Sequence, residues 1–362
     1  MQGLNSAGLK VYAETIAMPY VLDTAGILVL IALVLDVMWS TMGLGGGLLT
    51  KRFSNRLYRI LLRIGRKRKS RLFLSWIAII ILVSVFAVWV GMLWLGWSLI
   101  FLAGERAIVQ SQSLSEAGFW DRVYFTGFTI FTLGVGDFSP RGALYQFLTA
   151  FASLMGLFMI TFGVTYLVPV VQAATMKRRM AFAIASIGTT GRGILLTTWN
   201  GKDFRILSEH LLSLLPNLSQ LAQQHLTYPW LHYFHVRRRS ESLGLGIAAM
   251  DEALTVMRFG LKEECGVPPG IYIPARRAVT QFLYMMKEAA FIEPVDKDPP
   301  IPSLDPLRLC GLPAVSKAEF ESHFPELSER RRLLAALVRN ERWTWELLED
   351  EEHPVAPEKP LD

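Results

Sequence analysis

The chain has 362 residues, of which 52% are hydrophobic and 19% are charged. The charged share lies below the roughly 25% of soluble globular domains, and the apolar residues come in long unbroken runs, which together indicate a membrane protein. Two cysteines, Cys265 and Cys310, imply no disulfide framework and fit a reducing compartment. Residues 1–180 hold 17 Lys and Arg against 7 Asp and Glu. Because this basic half is also the apolar half, we expect lipid headgroups as its partner and no nucleic acid.

Residues 1–42 are predicted to contain the first transmembrane span, from about residue 21 to residue 42. A stretch of this length suffices to cross a bilayer, which takes about 20 residues. The span contains one acid in its second half, Asp36. Ionisable groups at membrane depth usually face protein or water. The favoured interpretation pairs Asp36 with a basic residue of the next segment, and the alternative gives it a role in gating or in the ion pathway.

Residues 43–71 form the next predicted segment, which holds ten Lys and Arg and no acid. Apolar residues and arginines both recur there at helical spacing. This pattern is typical of an amphipathic helix lying in the headgroup plane, so we expect residues 51–71 to contact anionic headgroups. A voltage-sensor helix is the alternative, although a sensor needs several partner spans that carry acids. By the positive-inside rule this segment is cytoplasmic.

Residues 72–179 predict a pore module of two long spans, at about 72–103 and 143–174, around a shorter apolar segment. That shorter segment, residues 119–131, has only about 13 residues and cannot span a bilayer. Residues 113–116 have the spacing of a capping box, which predicts that a helix starts there. The third span closes on basic residues, which predicts a cytoplasmic end.

A glycine motif directly follows the short segment and is predicted to be an ion-conducting filter. Its residues are Thr132, Leu133, Gly134, Val135, Gly136 and Asp137. Backbone at membrane depth survives only where protein encloses it or where it lines water. Carbonyls that point at an axis can replace the water around a monovalent cation, and the two glycines permit left-handed dihedrals that turn successive carbonyls to one side. Thr132 can add a hydroxyl, and Asp137 can concentrate cations at the outer mouth. An ordinary glycine turn between spans is the disfavoured alternative.

With this motif in place, residues 72–179 resemble the two-span pore module of the potassium channel superfamily. The family motif is Thr-Val-Gly-Tyr-Gly-Asp, and the resemblance covers about a third of the chain. It implies a channel that conducts K⁺ as its permeant ion. It also implies a homotetramer, because one pore segment per chain requires four chains to close the axis.

The resemblance further implies roles for residues around the filter. Tyr124 and Phe125 match the aromatic pair that packs behind the family's filter, and Phe128 stands where some relatives carry a buried acid. Val135 replaces the family's filter aromatic and removes a ring that braces the filter. Three residues of the inner span are hinge candidates, with close helix packing or a passive kink as the alternative: Gly156, Gly163 and Pro169.

Residues 180–352 are predicted to form a helical cytoplasmic domain, followed by a disordered tail at 353–362. Helices are expected near 203–214, 217–225, 243–263, 275–290 and 327–350. The glycine-rich stretch 187–193 lacks the lysine of a phosphate loop and is predicted to be a flexible connection. Packing in the interior is favoured over a metal site for His225, His232 and His235. We therefore expect no cofactor, no metal beyond the permeant ion and no catalytic residues. The alternative that the cytoplasmic domain binds an unknown ligand is left open.

The sequence as a whole predicts an α-helical, multi-pass protein of the plasma (inner) membrane. Its parts are a tetrameric pore module, comprising outer helix, pore helix, filter and inner helix, and a mostly α cytoplasmic domain. The predicted function is that of a gated cation channel, most plausibly for K⁺, and not that of an enzyme. Two alternatives are a weakly selective monovalent cation channel, because of Val135, and a membrane-anchored sensor or effector whose soluble half is active.

Overall fold

A computed structural model describes residues 6–42, 47–68, 71–228, 231, 234–288 and 291–349. The described chain is helical apart from one short antiparallel sheet of β1 (Ile108–Gln110) and β2 (Phe138–Pro140). The helices are α1 (Ser6–Met42), α2 (Leu48–Arg68), α3 (Arg71–Ala103), α4 (Phe119–Ile130), α5 (Ala143–Ala185), α6 (Gly191–Thr198), α7 (Arg205–Thr227), α8 (Leu243–Phe259), α9 (Pro269–Glu288), α10 (Asp305–Leu309), α11 (Lys317–Glu321) and α12 (Phe324–Asn340).

Three of the described helices are long and apolar enough to cross a membrane, over Ala17–Ser40, Trp76–Ala103 and Ala143–Ala185. Helix α4, with 12 residues, lies between the second and the third of them and is too short to cross. The predicted helical membrane protein with a short helix between two spans is therefore confirmed.

The chain divides into two compact units, one of residues 1–57 and 80–169 and the other of residues 58–79 and 170–362. The first unit contains α4 and the glycine motif, and the second contains the helices of the C-terminal half. The predicted domain boundaries near residues 71 and 179 stay predictions, and the predicted tail at 353–362 lies outside the described residues.

A buried carboxylate closes the N-terminus of α2 in the first unit. Asp36 is 5% exposed and accepts hydrogen bonds from the backbone N–H groups of Leu49 at 2.9 Å and Thr50 at 3.2 Å. The Thr50 hydroxyl and, at 3.1 Å, the indole Nε1 of Trp89 also donate to it. Asp36 thus caps α2, at the end where the helix dipole favours negative charge. Among the described residues, backbone and neutral side chains satisfy this carboxylate, and the predicted basic partner is not found there.

Helix α8 is the centre of the second unit and is buried on nearly all sides, as expected of a core helix. It carries two adjacent buried acids, each paired with arginine. Asp251 lies 2.9 Å from Arg276 and 2.5 Å from Arg330, and Glu252 lies 3.0 Å from Arg331. Burial raises the pKa of Asp251, but the two arginines outweigh it and hold that pKa below its ordinary value. The arginines thus compensate the burial of Asp251, whereas at Glu252 burial outweighs Arg331 and raises the pKa.

The end of α5 is also held in the second unit by a buried ion pair. Lys177 Nζ lies 2.8 Å from Glu341 Oε1, with the two side chains 5% and 7% exposed. Glu341 also accepts hydrogen bonds from the Ser242 hydroxyl at 2.6 Å and the Gly244 N–H at 3.1 Å. Burial raises the pKa of Glu341, but Lys177 and these donors outweigh it and keep the pKa below its ordinary value. Glu341 therefore stays ionised at neutral pH.

Two local predictions for the C-terminal half are wrong. The helices expected at 203–214 and 217–225 are the single helix α7, which accommodates Pro216 in its interior. The glycine-rich stretch expected to be flexible contains the start of α6, where the Thr190 hydroxyl accepts a hydrogen bond from the Gly193 N–H at 2.8 Å. Threonine acts there as an N-cap, which satisfies a donor that the helix leaves unpaired.

Replacing Asp36 with alanine should lower the melting temperature of the full chain in detergent. Loss of a helix cap costs about 1 kcal/mol, and each buried donor left without a partner adds about 1–3 kcal/mol. Asp23→Ala, about 20 Å away along the same helix, is the matched control and should change the melting temperature far less. Equal melting temperatures for Asp36→Ala and the unsubstituted protein would contradict the capping role.

Candidate ion-conducting site

The short helix α4 is fixed at its start by Arg122, which is 9% exposed. Its guanidinium donates to the carbonyl oxygens of Gly104 at 2.5 Å, Glu105 at 2.6 Å and Ala117 at 2.9 Å. The first two follow the C-terminus of α3, where unpaired carbonyls and the helix dipole favour a cation. Sequence reasoning missed Arg122, although a lone basic residue within a short apolar segment was the available signal.

The N-terminus of α4 lies at Gly118, whose N–H donates to the Asp121 carboxylate at 2.9 Å. The helix start predicted from the capping-box spacing at residues 113–116 is therefore wrong. Those residues form a tight turn with Leu114 at φ 55°, and Glu116 bridges to Val109. The turn and the bridge satisfy this backbone without a helix.

The C-terminus of α4 ends in a Schellman motif that leads directly into the glycine motif. The Leu133 N–H donates to the Phe128 carbonyl at 2.8 Å, and the Thr132 N–H donates to the Thr129 carbonyl at 3.1 Å. Thr132 occupies the left-handed position of this motif, with φ 56°. Glycine usually takes that position, because a side chain there is strained. A threonine at this point therefore places a hydroxyl at the inner end of the motif at the expense of local strain.

The backbone beyond Thr132 alternates in handedness. Gly134 has φ 59° and Gly136 has φ 86°, whereas Leu133 and Val135 are not left-handed. The left-handed dihedrals predicted for the two glycines are thus confirmed. Among the described residues, the carbonyls of residues 132–135 accept no hydrogen bond, while those of Gly136 and Asp137 accept bonds from Ser111. Four consecutive carbonyls are therefore available to a ligand.

The three residues predicted to support the filter lie together. The ring centroid of Phe128 is 5.3 Å from that of Tyr124 and 5.1 Å from that of Phe125, in edge-to-face geometry. Tyr124 also meets Phe138, just beyond the glycine motif, at 6.3 Å. Phe125 and Phe128 are buried, and Tyr124 is half-exposed. Their role in supporting the filter stays a prediction.

The hinge candidates lie on α5, which continues through Pro169 without a break. A Cβ at Gly156 would overlap the backbone carbonyl of Ile130, in the last turn of α4, and a Cβ at Gly163 would overlap the ring of Phe86. Both glycines therefore permit close packing, which is common where membrane helices meet. Hinge motion at these residues stays a prediction.

His225 and His235 are buried in the second unit, and His232 lies outside the described residues. Burial, and then the Lys177 charge, lower the pKa of His225 to about 4, and its Nδ1 lies 2.9 Å from the Leu221 carbonyl. His235 contacts Tyr58 at 3.0 Å. Within the described part of the chain, no three His, Cys, Asp or Glu residues are grouped to hold a metal.

The fold and this site define a membrane protein of the ion-channel class, with spans, short helix and open carbonyls in channel order. Residues 76–173 match a protein family described as "Ion channel". The chain is also 34% identical to the uncharacterized membrane protein YdjJ of Bacillus subtilis, over 90% of this chain and 95% of that protein. The chain belongs to the family of YdjJ, and its residues 76–173 carry the matched ion-channel module. No solved structure matches it.

Proposed function

We propose that four copies of this chain form a channel that conducts K⁺ through residues 132–137. The observation that supports it best is the row of four unpaired carbonyls at residues 132–135, which follows directly on a short helix at membrane depth. Such carbonyls can replace the hydration shell of a monovalent cation. The C-terminal end of α4 leads into this row, where its dipole favours positive charge.

A weakly selective monovalent cation channel is the second candidate, because this chain lacks two side-chain groups that support the filter in members of the potassium channel superfamily. Val135 supplies no ring, and Phe128 lies between the rings of Tyr124 and Phe125 and supplies no carboxylate. A filter with fewer braces holds its carbonyls less firmly. Selectivity is therefore the property that separates the two candidates.

Purified protein in planar bilayers should carry a cation current whose reversal potential follows the K⁺ gradient when K⁺ and Na⁺ are opposed. This outcome follows if the open carbonyls of residues 132–135 replace the water around K⁺. A reversal potential midway between the two equilibrium potentials would favour the weakly selective channel. The absence of any cation current over a wide range of voltages would contradict both.

Alanine at Gly134 or Gly136 should abolish the K⁺ current, because a side chain disfavours the left-handed backbone that aligns the carbonyls. Gly142→Ala is a matched control, since Gly142 has φ 83° and, like the two filter glycines, no atom within 4 Å of an added Cβ. The control suffers a comparable strain outside residues 132–137 and should keep its current. Equal loss in all three variants would mean that strain alone, and not the filter, explains the effect.

We extend the proposal to placement and gating. The protein lies in the plasma membrane with residues 180–352 on the cytoplasmic side. The exposed basic face of α2 contacts anionic headgroups. Helix α5 belongs to both units, and its end is fastened by the Lys177–Glu341 pair. The second unit therefore acts on a gate in α5, with Gly156, Gly163 and Pro169 as the candidate bending points.

Lys177→Met and Glu341→Gln should each change the open fraction of the channel, since each leaves a partner buried without its counterpart, at a cost of about 3–5 kcal/mol. The double variant should lie closer to the unsubstituted channel than the single variants do. The exposed pair Lys287–Glu329, with a similar contact of 2.7 Å, is the matched control, because exposed pairs contribute little. If the changes in open fraction at Lys177 and Glu341 are additive and no larger than those at the control pair, the proposed coupling between this ion pair and the gate is contradicted.

A further inference from the structure

The outer side of the filter carries a small hairpin of residues 107–117, which we call the turret. Its strand β1 pairs with β2 on one side, and on the other side Val109 bridges to Glu116. Inside the turret, the Gln110 N–H donates to the Ser115 carbonyl at 2.9 Å and the Ala117 N–H donates to the Ile108 carbonyl at 3.1 Å. Four of its apolar residues are buried: Ala107, Ile108, Val109 and Ala117. The turret is therefore a hydrogen-bonded and packed support.

The register of this sheet places one turret residue against the end of the filter. Gln110 pairs with Phe138, so the next residue, Ser111, lies opposite Asp137. The Ser111 N–H donates to the Asp137 carbonyl at 2.9 Å, and the Ser111 hydroxyl donates to the Gly136 carbonyl at 2.7 Å. The strand pairing thus extends by one residue, and a side chain reaches the last glycine of the filter.

The Gly136 carbonyl depends on this hydrogen bond for its orientation. Gly136 has no side chain, and beyond its two chain neighbours no atom of the described chain lies within 4 Å of a Cβ placed on it. Its left-handed backbone, at φ 86°, is therefore not fixed by packing. Among the described residues, Ser111 supplies the one side chain that binds a carbonyl of residues 132–137. The neighbouring Val135 offers no ring that could hold this stretch from behind.

We propose that Ser111 is a positioning residue for the Gly136 carbonyl, near the outer end of the filter, and thereby sets the preference for K⁺ over Na⁺. This proposal rests on the proposed channel function. Selectivity of a carbonyl ring depends on the position and the number of its oxygens. A hydroxyl that holds the Gly136 carbonyl in four subunits limits its movement toward a smaller ion. The turret thus restrains the filter backbone, a role that side chains packed behind the filter would otherwise have.

The experiment measures the K⁺ to Na⁺ permeability ratio from reversal potentials of the full chain in bilayers. Ser111→Ala should lower this ratio about three- to ten-fold, the range that one net hydrogen bond represents. Ser111→Thr keeps the hydroxyl and should keep the permeability ratio. Ser111→Val has nearly the same shape as the threonine variant but no hydroxyl, and it should lower the ratio. The Thr and Val pair also decides the question if the alanine variant does not fold.

Ser113→Ala is the matched control, because the Ser113 hydroxyl donates to Gln110 Oε1 at 2.7 Å within the same turret and does not touch the filter. This variant should keep the ratio. The proposal is overturned if Ser111→Val matches Ser111→Thr, or if Ser113→Ala lowers the ratio as much as Ser111→Ala. If the unsubstituted protein carries no cation current, the channel function is overturned instead, and with it the role of Ser111.

Discussion

Backbone polar groups at membrane depth need partners, and this requirement organises the first unit. Three helix ends there are closed by specific hydrogen bonds. Asp36 closes the N-terminus of α2, Arg122 closes the C-terminus of α3, and a Schellman motif closes α4. Against this background, the four carbonyls of residues 132–135 stand out as unpaired among the described residues. The proposed channel function accounts for this open row of carbonyls by a cation that binds them.

The two ends of this row are held by different means. The inner end continues α4, so its position follows from the Schellman hydrogen bonds of Thr132 and Leu133. The outer end continues β2, so its position follows from strand pairing and from Ser111. Between these supports lie two glycines with left-handed backbone and open surroundings. Support at both ends is what allows such a flexible segment to keep one conformation.

Sequence reasoning predicted what depends on local pattern and missed what depends on distant partners. The spans, the length of α4 and the dihedrals of Gly134 and Gly136 follow from apolar runs and from the absence of a side chain. The partners of Asp36 and Arg122 do not, because a pattern shows that a charge is unusual but not which backbone group meets it. The sequence predicts two helices on either side of Pro216, because proline disfavours a helix interior. In the structure, tertiary packing holds one continuous helix α7 through this residue.

At Gly156, close packing and hinge motion need not exclude each other, although the sequence presents them as alternatives. Close packing and hinge motion look like alternatives for a glycine in an inner helix. Here the close contact is with the carbonyl of Ile130, two residues before the left-handed Thr132. A displacement of α5 at this point must therefore either shift the last turn of α4 or open a gap in a tightly packed contact, which is unfavourable. In the proposed channel, packing at Gly156 would thus itself be a route by which movement of α5 reaches the first residues of the filter.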